Sequence, residues 1–388
     1  MDGIKEKLQT AYNTGISTIK QKFDGLMAPS ATSNNSKKNT NTISQNNANT
    51  IINQSVIGNK SNFGLVVACL ITFVLLFVLY FLSKSFRVNK TLETHDIYQQ
   101  YTTIQSIPFE KSIVKKLRLS DCHVATSYNT ALVGYQMFDY VSEDVLKATL
   151  RSGARAVEFN IFNSKYGDDA IPVVSNGYKE GEWRMTVDMP SFEDMAKIID
   201  TNAFRIGDGE NGVPNPDDPL FILLNLNTNH NLYCLDALSD IIVDYFRDRL
   251  LDNKYSYQQT ELSNITMEEL KGKVVILCSP GFEGSKLDEV VNYSWGMSGM
   301  RRLHYSEVEN ADAREMQSYN KQGITIISPH KEGDFWTENY DPQRAIDLGC
   351  QFVMMNWQVV DENMDKYITK FRNNSIVAKP KNLRKNKK

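Results

Sequence analysis

Twenty consecutive residues without a charge, Phe63 to Leu82 (FGLVVACLITFVLLFVLYFL), constrain this chain more than any other segment. As a helix they extend about 30 Å, the thickness of a bilayer's hydrocarbon core. The run lies too far into the chain and is too long in its apolar part for a secretory signal peptide. An uncharged stretch of this length also argues against the core helix of a soluble domain. We expect a single transmembrane helix at residues 63–83. Lys60 alone lies close on its N-terminal side, whereas Lys84, Arg87 and Lys90 follow it. That asymmetry places everything after the span in the cytosol.

Two pieces precede the span. Ile4, Leu8, Tyr12, Ile16, Ile19, Phe23 and Leu26 recur every three or four residues, so residues 1–28 read as an amphipathic helix. Residues 29–62 are rich in Asn, Ser and Thr and read as a disordered linker. A juxtamembrane segment, 84–109, joins the span to the rest. The formal net charge of −3 gives no whole-chain signal for nucleic acid, which normally shows as a basic excess. The cysteines are Cys69, Cys122, Cys234, Cys278 and Cys350, an odd number without a C-x-x-C. They suggest neither a disulfide framework nor a zinc site.

Beyond the span the pattern alternates. β-rich apolar runs occur at 122–127, 154–162, 171–176, 221–227, 273–278, 323–327, 351–357 and 375–379. Helix-like stretches fall between several of them, at 140–152, 191–203, 231–250, 310–321 and 361–371. Repeated βα units imply a mainly parallel sheet, and the eight strand candidates suit an α/β fold of the (β/α)8 TIM-like barrel type over 110–380. A doubly wound open sheet is the alternative, although no Gly-rich phosphate loop follows an early strand.

The motifs are specific. Ser127-Tyr128-Asn129-Thr130-Ala131-Leu132 is followed by Gly153-Ala154-Arg155-Ala156-Val157-Glu158-Phe159-Asn160 and by Pro172-Val173-Val174-Ser175-Asn176-Gly177-Tyr178. MEELKGKVVI (267–276), Asn339-Tyr340-Asp341-Pro342, Gly349 to Gln358 and Met364 to Pro380 come next in order. Together these blocks resemble the X and Y regions of the phosphatidylinositol-specific phospholipases C, which write S-H-N-T-Y-L, G-x-R-x-x-E-x-D and P-x-x-x-H-G-Y at the first three. The resemblance covers nearly all of residues 110–385.

In that family two histidines flank the phosphodiester as general base and general acid, and Ca2+ held by an Asn and carboxylates assists them. The resemblance puts Tyr128 and Asn176 at the histidine positions. Tyrosine, of pKa ~10, is protonated at neutral pH, and asparagine does not titrate. Among the metal positions Asn129 and Glu158 are kept, Asn160 replaces an Asp, and either Asn225 or Asn227 stands for a Glu, with Asn227 the preferred match. One carboxylate is a poor site for a hard divalent ion, so no Ca2+ cofactor is expected. Leu277, Ser279, Ile326 and Ser328 lie where the family has basic or aromatic residues toward inositol phosphates.

The implied function is a membrane-anchored phospholipase-C-like pseudoenzyme that binds or scaffolds at a lipid surface. Its partner would be a membrane lipid, either a phosphoinositide or another anionic phospholipid, together with an unidentified protein. The alternative is an active phosphoric diester hydrolase with a rearranged, metal-independent site. For that, His123, His230, His304 and His330 are candidates, with Glu158 and Asp121 as carboxylates. His123 lies five residues before Tyr128, on the opposite strand face, and His230 follows the fourth strand where barrel sites gather. Trp183, Phe192, Trp295, Phe335 and Trp336 read as an apolar rim or as core anchors. The tail from Lys379 carries six positive charges in ten residues and reads as solvated or leaflet-binding.

Overall fold

The computed structural model describes residues 50–385 except 166–168, 179–182, 208–210, 256–261 and 332–333. The expected helix at 1–28, linker residues 29–49 and tail residues 386–388 lie outside the described residues. Contacts divide the chain into two units, 1–72 and 73–388. In the first, the described residues are the start of helix α1, Thr50–Tyr101. Residues 50–62, read from sequence as linker, are helical, and the juxtamembrane segment stays helical to Tyr101. The part from Gly64 onward is long and apolar enough to cross a membrane.

The second unit adds α2 (Ser112–Lys115), β1 (Cys122–Ser127), α3 (Glu143–Arg151), β2 (Ala156–Asn163), β3 (Pro172–Val174), β4 (Gly177–Tyr178) and β5 (Trp183–Arg184). There follow α4 (Phe192–Asn202), β6 (Leu220–Asn227), α5 (Leu232–Phe246), α6 (Met267–Leu270), β7 (Val274–Cys278), β8 (Tyr293–Ser294) and β9 (Met300–His304). Then come α7 (Tyr305–Glu309), α8 (Ala313–Asn320), β10 (Ile324–Ser328), α9 (Gln343–Asp347), β11 (Phe352–Met355), α10 (Glu362–Lys370) and β12 (Ile376–Ala378). Local chemistry favours these bounds. Ser191 caps α4 reciprocally with Asp194, and α3 opens on Glu143 and Asp144 and closes on Arg151, complementing the helix dipole.

The strand order is β8-β7-β6-β2-β1-β11-β10-β9, all parallel neighbours. This is a nearly closed eight-stranded TIM-like barrel, and the open-sheet alternative is set aside. Two of the expected barrel strands are something else. β3 pairs antiparallel with the end of β2, and β12 pairs antiparallel with the start of β1. Their places in the barrel are taken by β8 and β9, which the sequence hides: one is two residues long and the other, MRRLH, carries two arginines. The tail also differs from expectation. Lys379 is fully buried and donates to the carbonyl of Ser120, and residues 381–383 form a 3-10 turn.

Alternation along the strands divides the core into two layers. One set of positions (Ala125, Val157, Ile222, Leu224, Ile276, Val353) packs outward on the helices. The other set (Val124, Ala156, Phe221, Leu223, Val275, Ile326, Phe352, Met354) fills the barrel interior. Ile107, Phe109, Leu119, Leu262, Met267 and Leu270 join the interior cluster and plug the end where the strands begin. Strands this buried on both faces are normal for a parallel barrel. The interior positions nearer the strand ends are polar, and they build the candidate site.

Candidate functional site

Continuing the interior period of two carries β1 to Tyr128, β2 to Glu158 and Asn160, β6 to Asn225 and Asn227, and β9 to Arg302. The same step carries β7 to Ser279, β10 to Ser328 and β11 to Asn356. Glu158 and Asn160 lie within β2 and Arg302 within β9, and the others at or just past the C-terminal ends of their strands, the face where barrel sites form. Most of them line a cleft of about 630 Å³, walled further by Gln136, Asn176, His230, His330, Lys331 and Asp334.

A chain of amides crosses the cleft floor in one donor direction. Asn225 Nδ2 donates to Asn160 Oδ1 at 2.7 Å, and Asn160 Nδ2 to Asn129 Oδ1 at 2.7 Å. Asn129 Nδ2 donates to Gln136 Oε1 at 2.8 Å, and Gln136 Nε2 to Asn356 Oδ1 at 3.2 Å. Asn356 Nδ2 then donates to His330 Nε2 at 2.7 Å. Asn176 joins from the side, accepting from Asn160 at 3.0 Å and donating to the Gln136 carbonyl at 2.5 Å. Each amide satisfies the next, so the network is rigid and polar with little charge of its own. The register pairs Asn160 with Asn225. Asn225, rather than the preferred Asn227, is therefore the residue in the network; Asn227 donates to the Asn225 carbonyl.

The charge in the cleft floor comes from one pair. Glu158 is fully buried, its Oε1 lies 2.5 Å from a guanidinium nitrogen of Arg302, and its Oε2 accepts from the Asn129 backbone at 3.3 Å. Arg302 also lies 5.3 Å from the ring of Trp295 and 6.0 Å from that of Tyr128. Sequence reading missed Arg302, and its signal was an arginine at the interior parity of an unrecognised strand. Burial, together with the Glu158 charge, pushes the Tyr128 hydroxyl well above its ordinary pKa. Its ring stands 5.5 Å from that of His330, whose pKa burial lowers to about 4. A neutral His330 accepts at Nε2 and turns Nδ1–H toward Asp334, 3.6 Å away.

The other candidates scatter. His230 is exposed on the cleft lip, at φ 55°, and donates Nδ1–H to the Gly281 carbonyl at 3.0 Å. His123 is buried on the outer strand face with Nδ1 at 2.7 Å from the Cys350 carbonyl. His304 caps α7, and Asp121 accepts from the Arg118 backbone beside the start of β1, away from the cleft. Gly177 is demanded by packing, since a Cβ there would stand 1.8 Å from the Trp183 carbonyl oxygen. Among the described residues no three His, Cys, Asp or Glu side chains converge on one point.

Comparison with known proteins agrees with this architecture. Residues 115–279 match the phosphatidylinositol-specific phospholipase C X domain, and residues 272–382 match the Y domain of the same family. The PLC21 crystal structure from S. officinalis superposes with a TM-score of 0.59 at 20% identity, over 71% of this chain and 38% of that one. PLC21 from L. pealei gives 0.57 at 19% identity, over 70% and 38%. This chain thus matches 38% of the length of either. Through an X domain and a Y domain in sequence order, the chain belongs to the phosphatidylinositol-specific phospholipase C family.

Proposed function

We propose that this protein is a membrane-anchored, phospholipase-C-like pseudoenzyme whose cleft binds a lipid headgroup without cleaving it. The observation that carries the reading is the side-chain content of the cleft floor. Where the family chemistry needs two imidazoles, Tyr128 is held protonated and Asn176 is bound into an amide chain. A hard divalent cation fits this donor set poorly. Glu158 already faces the guanidinium of Arg302, and the amide oxygens of Asn129 and Asn160 accept from neighbouring amides. We derive no step through a metal.

What remains is a polar recess with hydroxyls, amide groups, Arg302 and Lys331 on its walls, suited to a polyol or phosphorylated headgroup. Phe63–Leu82 would cross the bilayer once, and the basic residues that follow it put the barrel on the cytosolic side. The test uses the full chain in liposomes containing phosphatidylinositol or its phosphorylated forms, with and without Ca2+. We expect headgroup-dependent protection of the cleft from hydrogen exchange and no release of inositol phosphate. Ca2+-stimulated release that disappears in Glu158→Ala would overturn the reading. Release without Ca2+ that disappears in Tyr128→Phe or His230→Ala would establish the hydrolase alternative instead.

A further inference from the structure

Helix α1 changes character at Tyr80. Residues 64–79 are exposed on every side. From Tyr80 the helix turns one face inward, through Lys84, Val88, Thr91, His95 and Tyr98, a spacing of three and four residues. The Tyr80 ring meets Tyr140 edge-on at 5.6 Å. Lys84 pairs with Asp188, and Arg87 with the buried carboxylate of Asp139. The Thr91 hydroxyl donates to the Val133 carbonyl at 2.7 Å. His95 lies 3.2 Å from the hydroxyls of both Ser152 and Thr149 and stacks on Trp357. The Tyr98 hydroxyl reaches the Val359 carbonyl at 2.6 Å.

These partners give the helix a direction. Val133, Asp139 and Tyr140 belong to the loop after β1 and Asp188 to the loop after β5, both on the cleft side. Beyond the helix, the Thr103 amide bonds the Arg372 carbonyl and the Ile107 amide bonds Asp218, just ahead of β12 and β6 at the plugged end. The docked half therefore runs from the cleft rim down the barrel, antiparallel to its strands. Residues 73–79, the apolar turns just before Tyr80 in the same unit, leave from the rim.

At that rim stands an aromatic group that the barrel does not cover. Tyr135 stacks on Phe335 at 5.6 Å and meets Trp336 at 5.4 Å, and Phe138 lies 6.1 Å from Phe335. Arg87 sits 5.0 Å from the Tyr135 ring, so the group adjoins the helix just past its apolar run. Phe138 is 62% exposed and Trp336 45%. Phe138 also holds φ at 58°, a strained conformation for an aromatic residue, and among the described residues no burial offsets it.

We propose that the docked half of α1 is a rigid strut that presses the cleft mouth onto the bilayer entered by its own apolar run. Tyr135, Phe138, Phe335 and Trp336 then lie at the level of the lipid headgroups, where aromatic side chains are favoured. Lys84, Arg87 and Lys90 lie at the same level, where basic residues meet anionic lipid. The cleft opens onto headgroups of the membrane that anchors it, and its ligand comes from that bilayer in cis. The choice of ligand rests on the proposed headgroup-binding role; the orientation rests on the strut alone.

The experiment uses the full chain, Cys69→Ser, in nanodiscs of phosphatidylcholine and phosphatidylserine; the other four cysteines are buried. A nitroxide is placed at Phe138→Cys, or at Ile113→Cys near the plugged end, where Ile113 is 76% exposed. Collisions with oxygen, which concentrates in lipid, are compared with collisions with an aqueous nickel chelate. We expect the label at 138 to favour oxygen by several-fold over the label at 113. Equal aqueous exposure of the two would overturn the proposal. A flexible Gly/Ser insertion between Ser83 and Lys84 leaves the docked contacts from Lys84 onward intact and should abolish the difference; its persistence would overturn the strut. Neither readout involves turnover, so release of inositol phosphate would remove the pseudoenzyme reading and leave this one standing.

Discussion

Arg302 and Glu158, 144 positions apart in the chain, meet at 2.5 Å in the barrel interior, and the carboxylate is wholly buried. A buried charge that loses its partner is far more costly than a buried pair replaced by apolar groups. Arg302→Met alone should therefore destabilise the fold by about 3 kcal/mol or more, and Arg302→Met with Glu158→Leu by much less. Urea denaturation of the full chain in detergent, followed by tryptophan fluorescence, reads the difference. A single variant as stable as the double would mean that the pair carries no such coupling.

The same pair should also limit metal binding. On the pseudoenzyme reading, Tyr128→His, Asn160→Asp and Asn176→His together should produce neither tight Ca2+ binding nor hydrolysis, because the Arg302 cation still faces Glu158. Adding Asn225→Glu together with Arg302→Met should then raise Ca2+ affinity in titration calorimetry. Equal Ca2+ affinity with and without Arg302 would show that the guanidinium does not compete with a metal.

Acid should weaken the fold through its buried histidines. Burial lowers the pKa of His330 to about 4, and of His95 and His123 to about 3. Each stays neutral in the folded protein, whereas the unfolded chain takes up a proton below ~6.5. The unfolded state then binds more protons, so this stability is complete above that pH and is lost as the pH falls toward 4 and then 3. The denaturation midpoint should drop between pH 7 and pH 5, less steeply in His95→Gln. Nuclear magnetic resonance should find the His330 ring neutral at pH 5; a charged ring there would contradict the burial argument.

Arg87→Ala removes the partner of the Asp139 carboxylate, which also accepts from the Tyr135 and Tyr140 amides. Those two hydrogen bonds should keep the loop folded while the helix loosens. Amide exchange should accelerate along residues 84–98 and stay slow in β1 and β2. Uniform acceleration across the barrel would instead make Arg87 a general stability residue.

The features legible in the sequence are those written in local order. An uncharged run long enough for a bilayer needs no partner to be recognised. The strands at 122–127, 156–163, 220–227, 274–278, 324–328 and 352–355 are β-rich apolar runs because parallel strands are buried on both faces. Tyr128 and Asn176 could be singled out because the motifs around them are contiguous. His123 could be assigned to the outer face by alternation alone.

What only the tertiary structure decided depends on pairing between distant segments. β3 and β12 look like barrel strands by composition, but their antiparallel partners place them outside the barrel. β8 and β9 are short or charged and become strands through their neighbours. That Asn225 rather than Asn227 stands beside Asn160 follows only from the ladder with β2. Arg302 enters the site because barrel curvature brings β9 across from β2, and the docking of α1 depends on groups from the loops after β1, β5 and β11 and from the end of α3. Sequence period reports which face of an element is apolar; which element that face meets is set by closure of the barrel, and closure is a property of the whole chain.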